Sequence, residues 1–107
     1  MLAAASHVVA ADRVDHSPAV QAKRLALIQQ VMATGIFTKV DASKYAAHAW
    51  VGPAFYAIDF DTKRTFVALV YAYYFDGSHA GDLVILKDSM TGKKVGTFTA
   101  ISGLELE

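Results

Sequence analysis

The feature that most constrains this chain is an unbroken run of ten apolar or aromatic residues, FVALVYAYYF, at positions 66–75. A helix needs about 20 such residues to cross a bilayer, so the run predicts no membrane span. A run of this length is typical of a buried core element. We therefore expect a single domain that packs around this segment.

The composition of the run favours a strand, but its flanking residues favour a helix. Most of its members are β-branched or aromatic, as in strands. Asp59 and Asp61 stand where the cap and first turn of a helix place carboxylates. Gly77 suits the residue after a helix end. We predict a helix over about residues 60–75, and a strand is the alternative.

A helix over this run would be apolar on every side. Helical spacing predicts a core face of Phe66, Leu69, Val70 and Tyr73. The opposite side is equally apolar and must also be buried, and a chain of 107 residues has few elements to cover it. This pattern predicts a homodimer with two-fold symmetry, with Tyr71 and Phe75 in or beside the interface.

The flanking segments predict a second helix and three strands. Ser17 and Pro18 mark the start of a helix over about 18–34, and Gly35 suits its end. The segment 36–43 is predicted as a connector. Alternation predicts a strand over 45–51, with its odd-numbered residues on one side and its even-numbered ones on the other. Residues 83–87 and 94–100 are predicted to form a β-hairpin joined by the turn 88–92.

The predicted order is therefore α-β-α-β-β. It predicts an α+β fold in which two helices pack on one face of a small, mainly antiparallel sheet of three or more strands. Residues 17–104 form the single domain in this interpretation. Residues 1–16 would be a flexible or partly helical segment. Residues 105–107 would be a tail, in which Leu106 and Glu107 resemble an expression-vector remnant.

Composition narrows the classes of function. Ten basic and ten acidic residues balance, and no basic patch indicates a nucleic-acid partner. The chain has no cysteine, which excludes disulfides, thiol catalysis and cysteine-bound zinc. Its four histidines do not follow metal-ligand spacing, so the sequence predicts neither a metal site nor a cofactor.

The first residues leave the cellular compartment open. Positions 2–11 read LAAASHVVAA, which resembles the small-residue end of a signal peptide but has no basic start. The alternative is a cloning start followed by a frayed segment. The periplasm or the outside of the cell is slightly favoured over the cytoplasm.

Two segments carry a resemblance to a class of bacterial domains. They are WVGPAFYAIDFDTK at positions 50–63, and YYF at 73–75 followed by DSMTGK at 88–93. Together they resemble small, functionally uncharacterised bacterial α+β domains, often exported, with a D-x-K segment and a terminal D-S-x-T-G-K hairpin. The resemblance covers about residues 18–104. It implies an α+β fold and bacterial export, and it implies no catalytic residue.

The candidate site residues are aromatic or polar side chains near the centre of the chain: Trp50, Tyr56, Tyr71, Tyr73, Tyr74, His48, Asp59 and Asp61. The tyrosines could line a pocket or interface, or could pack in the core with bonded hydroxyls. We expect a non-enzymatic binding or protein-interaction module for a protein or small-molecule ligand. The alternative is a small enzyme assembled in space from His48, Tyr56, Asp59 and Asp61.

Overall fold

The computed structural model describes residues 14–107 as three helices and five strands. The helices are α1 (Pro18–Ala33), α2 (Pro53–Ala57) and α3 (Phe60–Tyr74). The strands are β1 (Phe37–Ala42), β2 (Ala46–Val51), β3 (Leu83–Asp88), β4 (Lys94–Thr99) and β5 (Gly103–Leu106). The α+β class is confirmed. The expectations for residues 1–13 lie outside the described residues.

The five strands form one sheet whose spatial order, β1-β2-β3-β4-β5, follows the chain. The pairs β1–β2, β3–β4 and β4–β5 are antiparallel. The central pair β2–β3 is parallel, in register from Ala46 opposite Leu83 to Val51 opposite Asp88. The predicted mainly antiparallel sheet is therefore confirmed, with one parallel pair at its centre.

The apolar run folds as the helix α3, because its first turn is capped as the sequence predicts. The amide of Thr62 donates to the carboxylate of Asp59 over 2.7 Å, and hydrogen bonds from Thr62 lower the pKa of Asp59. Asp61 lies in the first turn, where the helix dipole favours negative charge. The strand alternative for this segment is wrong.

The predicted face of α3 is wrong by a rotation about the helix axis. Its buried residues are Val67, Val70 and Tyr71, and the next residue after the helix, Phe75, is buried too. The ring of Tyr71 lies 5.4 Å from that of Phe75 and 5.5 Å from that of Phe98. Tyr71 and Phe75 therefore belong to the core of the protomer and do not form the predicted dimer interface.

The helix α1 begins and ends close to its predicted limits. Pro18 occupies its first position, and Gly35 beyond its end adopts φ +81°, a left-handed conformation that favours glycine. Ile28 and Val31 are buried. Leu25 on the same helix is 39% exposed.

Two strands were not predicted. The connector expected over 36–43 is largely β1, which pairs with β2 as a hairpin. The structure also places Glu105 and Leu106 in β5, where the sequence predicts a tail. Glu107 continues this edge, because its amide donates to the carbonyl of Val95 and its carboxylate lies 3.1 Å from the Lys94 ammonium.

The core lies between the helices and one face of the sheet. The alternation predicted for β2 is confirmed, since Ala47, Ala49 and Val51 are fully buried. Val84 and Leu86 continue this covered face on β3. Two alanines opposite α3 leave room for the helix and its aromatic side chains to pack closely.

The other face of the sheet is called the open face below. Both long helices pack on the covered face, so the part of the chain that the structure describes lays no long helix over it. The strand registers place on the open face the side chains of Lys39, Asp41, Ala46, His48, Trp50, Leu83, Ile85, Lys87, Thr97, Thr99 and Glu105.

We predict that Gly52→Ala strongly destabilises the domain. A Cβ at Gly52 would overlap the carbonyl oxygen of Gly35 and approach Thr38 Cγ2 to 3.2 Å. Relieving this overlap must move backbone, at a cost of about 2–3 kcal/mol. Thermal unfolding should show Tm lowered by about 10–20 °C for a domain of this size.

The matched control is Gly81→Ala, where an added Cβ meets nothing within 4 Å. Its Tm should stay at or slightly above that of the wild type. Equal Tm values for the two variants would contradict the close approach of Gly52 to Gly35.

Candidate functional site

Trp50 is the largest side chain on the open face. The Lys39 ammonium lies 4.7 Å from the centre of its ring system, and the Lys87 ammonium lies 5.7 Å away. The His48 ring lies 5.8 Å from it. Cation–π contacts of exposed groups contribute only about 0.5–1 kcal/mol each. These contacts therefore position Trp50 more than they stabilise the fold.

Charged groups of β1 complete this surface. The Asp41 carboxylate lies 3.6 Å from His48 Nδ1 and 3.7 Å from the Lys39 ammonium. We call Lys39, Asp41, His48, Trp50 and Lys87 the Trp50 cluster. Three adjacent strands contribute to it, so it depends on the β1–β2–β3 pairing.

A second polar contact lies where β3 ends. The Tyr56 hydroxyl donates to Asp88 Oδ1 over 2.8 Å, and the amides of Met90 and Thr91 donate to Asp88 Oδ2. Burial, followed by the bond to Asp88, raises the pKa of Tyr56 to about 12. The bond from Tyr56, followed by that from Thr91, lowers the pKa of Asp88. This carboxylate therefore ties α2 to the β3–β4 turn.

The three candidate tyrosines of α3 separate into two environments. Tyr71 lies in the core, and its burial and then the charge of Asp82 raise its pKa. Tyr73 and Tyr74 meet edge to face, with ring centres 5.1 Å apart. Burial also raises the pKa of Tyr74, which lines a cavity described below.

The four residues of the enzyme alternative contact four different partners. His48 faces Asp41 on the open face. Asp59 caps α3 on the other side of the sheet, and Asp61 pairs with Arg64 at 3.3 Å. Tyr56 bonds to Asp88. Their contacts give no shared catalytic arrangement.

A cavity of about 320 Å³ lies at the end of the sheet where β2 and β3 begin, and we call it the loop cavity. It lies between the β1–β2 turn and the α3–β3 loop, and it is lined by His16, Ala42, Ser43, Lys44, Tyr74, Phe75, Asp76, Ser78, His79 and Asp82. A neighbouring cavity of about 420 Å³ shares Lys44, His79 and Asp82 with it and adds Tyr45 and Gly81.

Metal binding finds no support within residues 14–107, where no three histidine, aspartate or glutamate side chains are grouped to hold an ion. In the same range, no helix is both long and apolar enough to cross a membrane.

The sequence did not single out Lys39, Asp41, Lys87 or Asp82. Lys39 and Asp41 are two positions apart, which in a strand places them on one side. The spacing would have placed these two residues on one face only if residues 37–42 had first been recognised as a strand. Lys87 and Asp82 reach their sites through the β2–β3 pairing and the α3–β3 loop, which no local pattern indicates.

Comparison with protein-family models finds no match, and comparisons with curated proteins and with solved structures find no significant similarity. The resemblance to small bacterial domains drawn from the sequence stays a prediction.

We predict that Tyr56→Phe raises the pKa of Asp88, because the variant loses the hydroxyl that stabilises the carboxylate. NMR titration of the Asp88 carboxyl carbon measures this change directly. A folded-state pKa below the unfolded value stabilises the protein above the unfolded value, and this stabilisation is lost as the pH falls through the folded-state pKa. The variant should therefore lose less stability on acidification than the wild type.

Tyr45→Phe is the matched control, because Tyr45 is 71% exposed and lies in the β1–β2 turn, away from Asp88. It should leave the Asp88 titration unchanged. An unaltered Asp88 pKa in Tyr56→Phe would show that the hydroxyl does not bond to the carboxylate in solution.

Proposed function

We propose that this protein is a non-enzymatic interaction module that binds through its open face, and that its partner is a second copy of the same chain. The observation that carries the proposal is the position of Trp50 on the open face, on the second of the five strands and flanked by two lysines. Tryptophan is one of the residue types that most often dominate the binding energy of an interface.

The apolar side chains around Trp50 support a covering partner. Here α3 covers one face, and the other presents Ala46, Leu83 and Ile85 beside Trp50. These apolar side chains are half-buried by their neighbours, and a second protein layer would remove the rest of their surface from water.

The charges of the open face favour a second copy as that layer. Lys39 and Lys87 are balanced by Asp41 and Glu105 on the same face. A face of one sign would repel itself, whereas a mixed face can oppose its own copy across a two-fold axis.

The size of the face sets the expected strength of the dimer. Five strands about 4.8 Å apart, with about 20 Å of usable length, give a flat area of about 500 Å² per protomer. A standard interface buries about 800 Å² per partner. We therefore expect dissociation constants in the micromolar range. Bacterial origin and export remain part of this proposal through the sequence resemblance alone.

Sedimentation equilibrium over a wide concentration range tests the proposal. The wild type should show a reversible monomer–dimer equilibrium. Trp50→Ala should weaken dimerisation about 30-fold, as for a central interface residue. Lys39→Glu replaces a side chain that is 64% exposed, so it should leave the fold intact and weaken dimerisation through the charge imbalance.

Leu27→Ala is the matched control, because Leu27 is 48% exposed on α1, on the other side of the sheet. It should dimerise like the wild type. A wild type that stays monomeric at high micromolar concentration contradicts the proposal. So does dimerisation that Leu27→Ala abolishes and Trp50→Ala leaves unchanged, since the interface would then lie on α1.

A further inference from the structure

The loop cavity is lined by Asp82, a mostly buried residue whose carboxylate faces the cavity. Asp82 is 7% exposed and lines both neighbouring cavities. Its side chain makes no hydrogen bond or ion pair with another described residue, and its carboxylate oxygens stay open to solvent in the cavity. A carboxylate that faces a cavity without an ion-pair partner attracts a positively charged group, so Asp82 provides a site for one.

A positive charge lies in the other segment that forms the cavity. Lys44, in the β1–β2 turn, lines both cavities, and its ammonium lies 5.3 Å from the centre of the Tyr45 ring. Lys44 and Asp82 are not within ion-pair distance of each other in the structure. The cavity therefore presents a basic group from one segment and two acidic groups from the other, of which Asp76 accepts a hydrogen bond from the Ser78 amide.

The remaining lining adds ring surface and hydrogen-bonding groups. Tyr74 and Phe75 contribute aromatic side chains, and Ser78 and His79 contribute polar ones. A volume of about 320 Å³ is at the small end of ligand pockets, which range over about 300–1,000 Å³. It suits a small molecule with a modest apolar part.

We propose that the loop cavity binds a small zwitterion of the amino-acid class, with its ammonium against Asp82 and its carboxylate against Lys44. A simple amine would satisfy Asp82 but would be repelled by Lys44, and a simple carboxylate would face the reverse conflict. Only a ligand that carries both charges satisfies both groups. This site is separate from the open face and does not depend on the dimer.

Titration followed by amide NMR tests this proposal with three probes that share the same branched apolar part. L-Leucine carries both charges, isoamylamine lacks the carboxylate, and isocaproate lacks the ammonium. L-Leucine should shift the amide signals of residues 43–46 and 78–83 saturably. Each of the other two should bind at least about tenfold more weakly, because each loses a charge-assisted contact.

Two variants and one control test whether Asp82 and Lys44 bind the two charged groups of L-leucine. Asp82→Asn and Lys44→Gln should each weaken L-leucine binding about tenfold or more. Lys93→Gln, which alters the β3–β4 turn at the other end of β3, should bind like the wild type. Lys44 is exposed, so its variant remains informative even where Asp82→Asn fails to fold.

The absence of saturable shifts with L-leucine overturns the proposal. Equal binding of isoamylamine, or unchanged L-leucine binding by Lys44→Gln, overturns the zwitterion assignment. Unchanged L-leucine binding by a folded Asp82→Asn removes Asp82 from the site. A monomeric wild type in sedimentation would leave these results unaffected, so the two proposals fail separately.

Discussion

The parallel pairing of β2 with β3 is the constraint on which the rest of the structure depends. Two parallel neighbours cannot be joined by a tight turn, so the chain must return across a face of the sheet. Here α2 and α3 make that return, and the apolar run of α3 buries Val67, Val70 and Tyr71 against the alanines of β2. Because α1 packs on the same side, one face becomes the core, and residues 14–107 place no long helix on the other.

The two candidate sites follow from the same pairing. Where β2 and β3 begin, the β1–β2 turn and the α3–β3 loop together line the loop cavity beside Asp82. Along their open side, the two strands place Trp50 beside Lys87, and β1 adds Lys39. The cavity can hold a small ligand and the flat face can meet a protein surface, so each site suits a different class of partner.

Local chemistry made much of this fold predictable. The Asp59 cap identified α3 in spite of its strand-forming residues, and the alternation in residues 45–51 separated the two sides of β2. The rotation of α3 about its axis could not be predicted, because a helix that is apolar on every side offers no contrast from which to choose the buried face.

Strand β1 was missed because its sequence, FTKVDA, is mixed in polarity and the strand lies at the sheet edge. The pairing of His48 with Trp50 was visible from their spacing, whereas Lys87 and Asp82 reach their sites only through tertiary structure.

The central claim is that the open face is covered by a second copy of the chain. Trp50 is the only tryptophan in the sequence, so quenching of its fluorescence by acrylamide reports on this face alone. The most direct test follows that quenching as the protein concentration rises through the micromolar range. The account predicts that the quenching constant falls as dimers form and stays high in Lys39→Glu at the same concentrations. A wild-type quenching constant that is high and independent of concentration would contradict it.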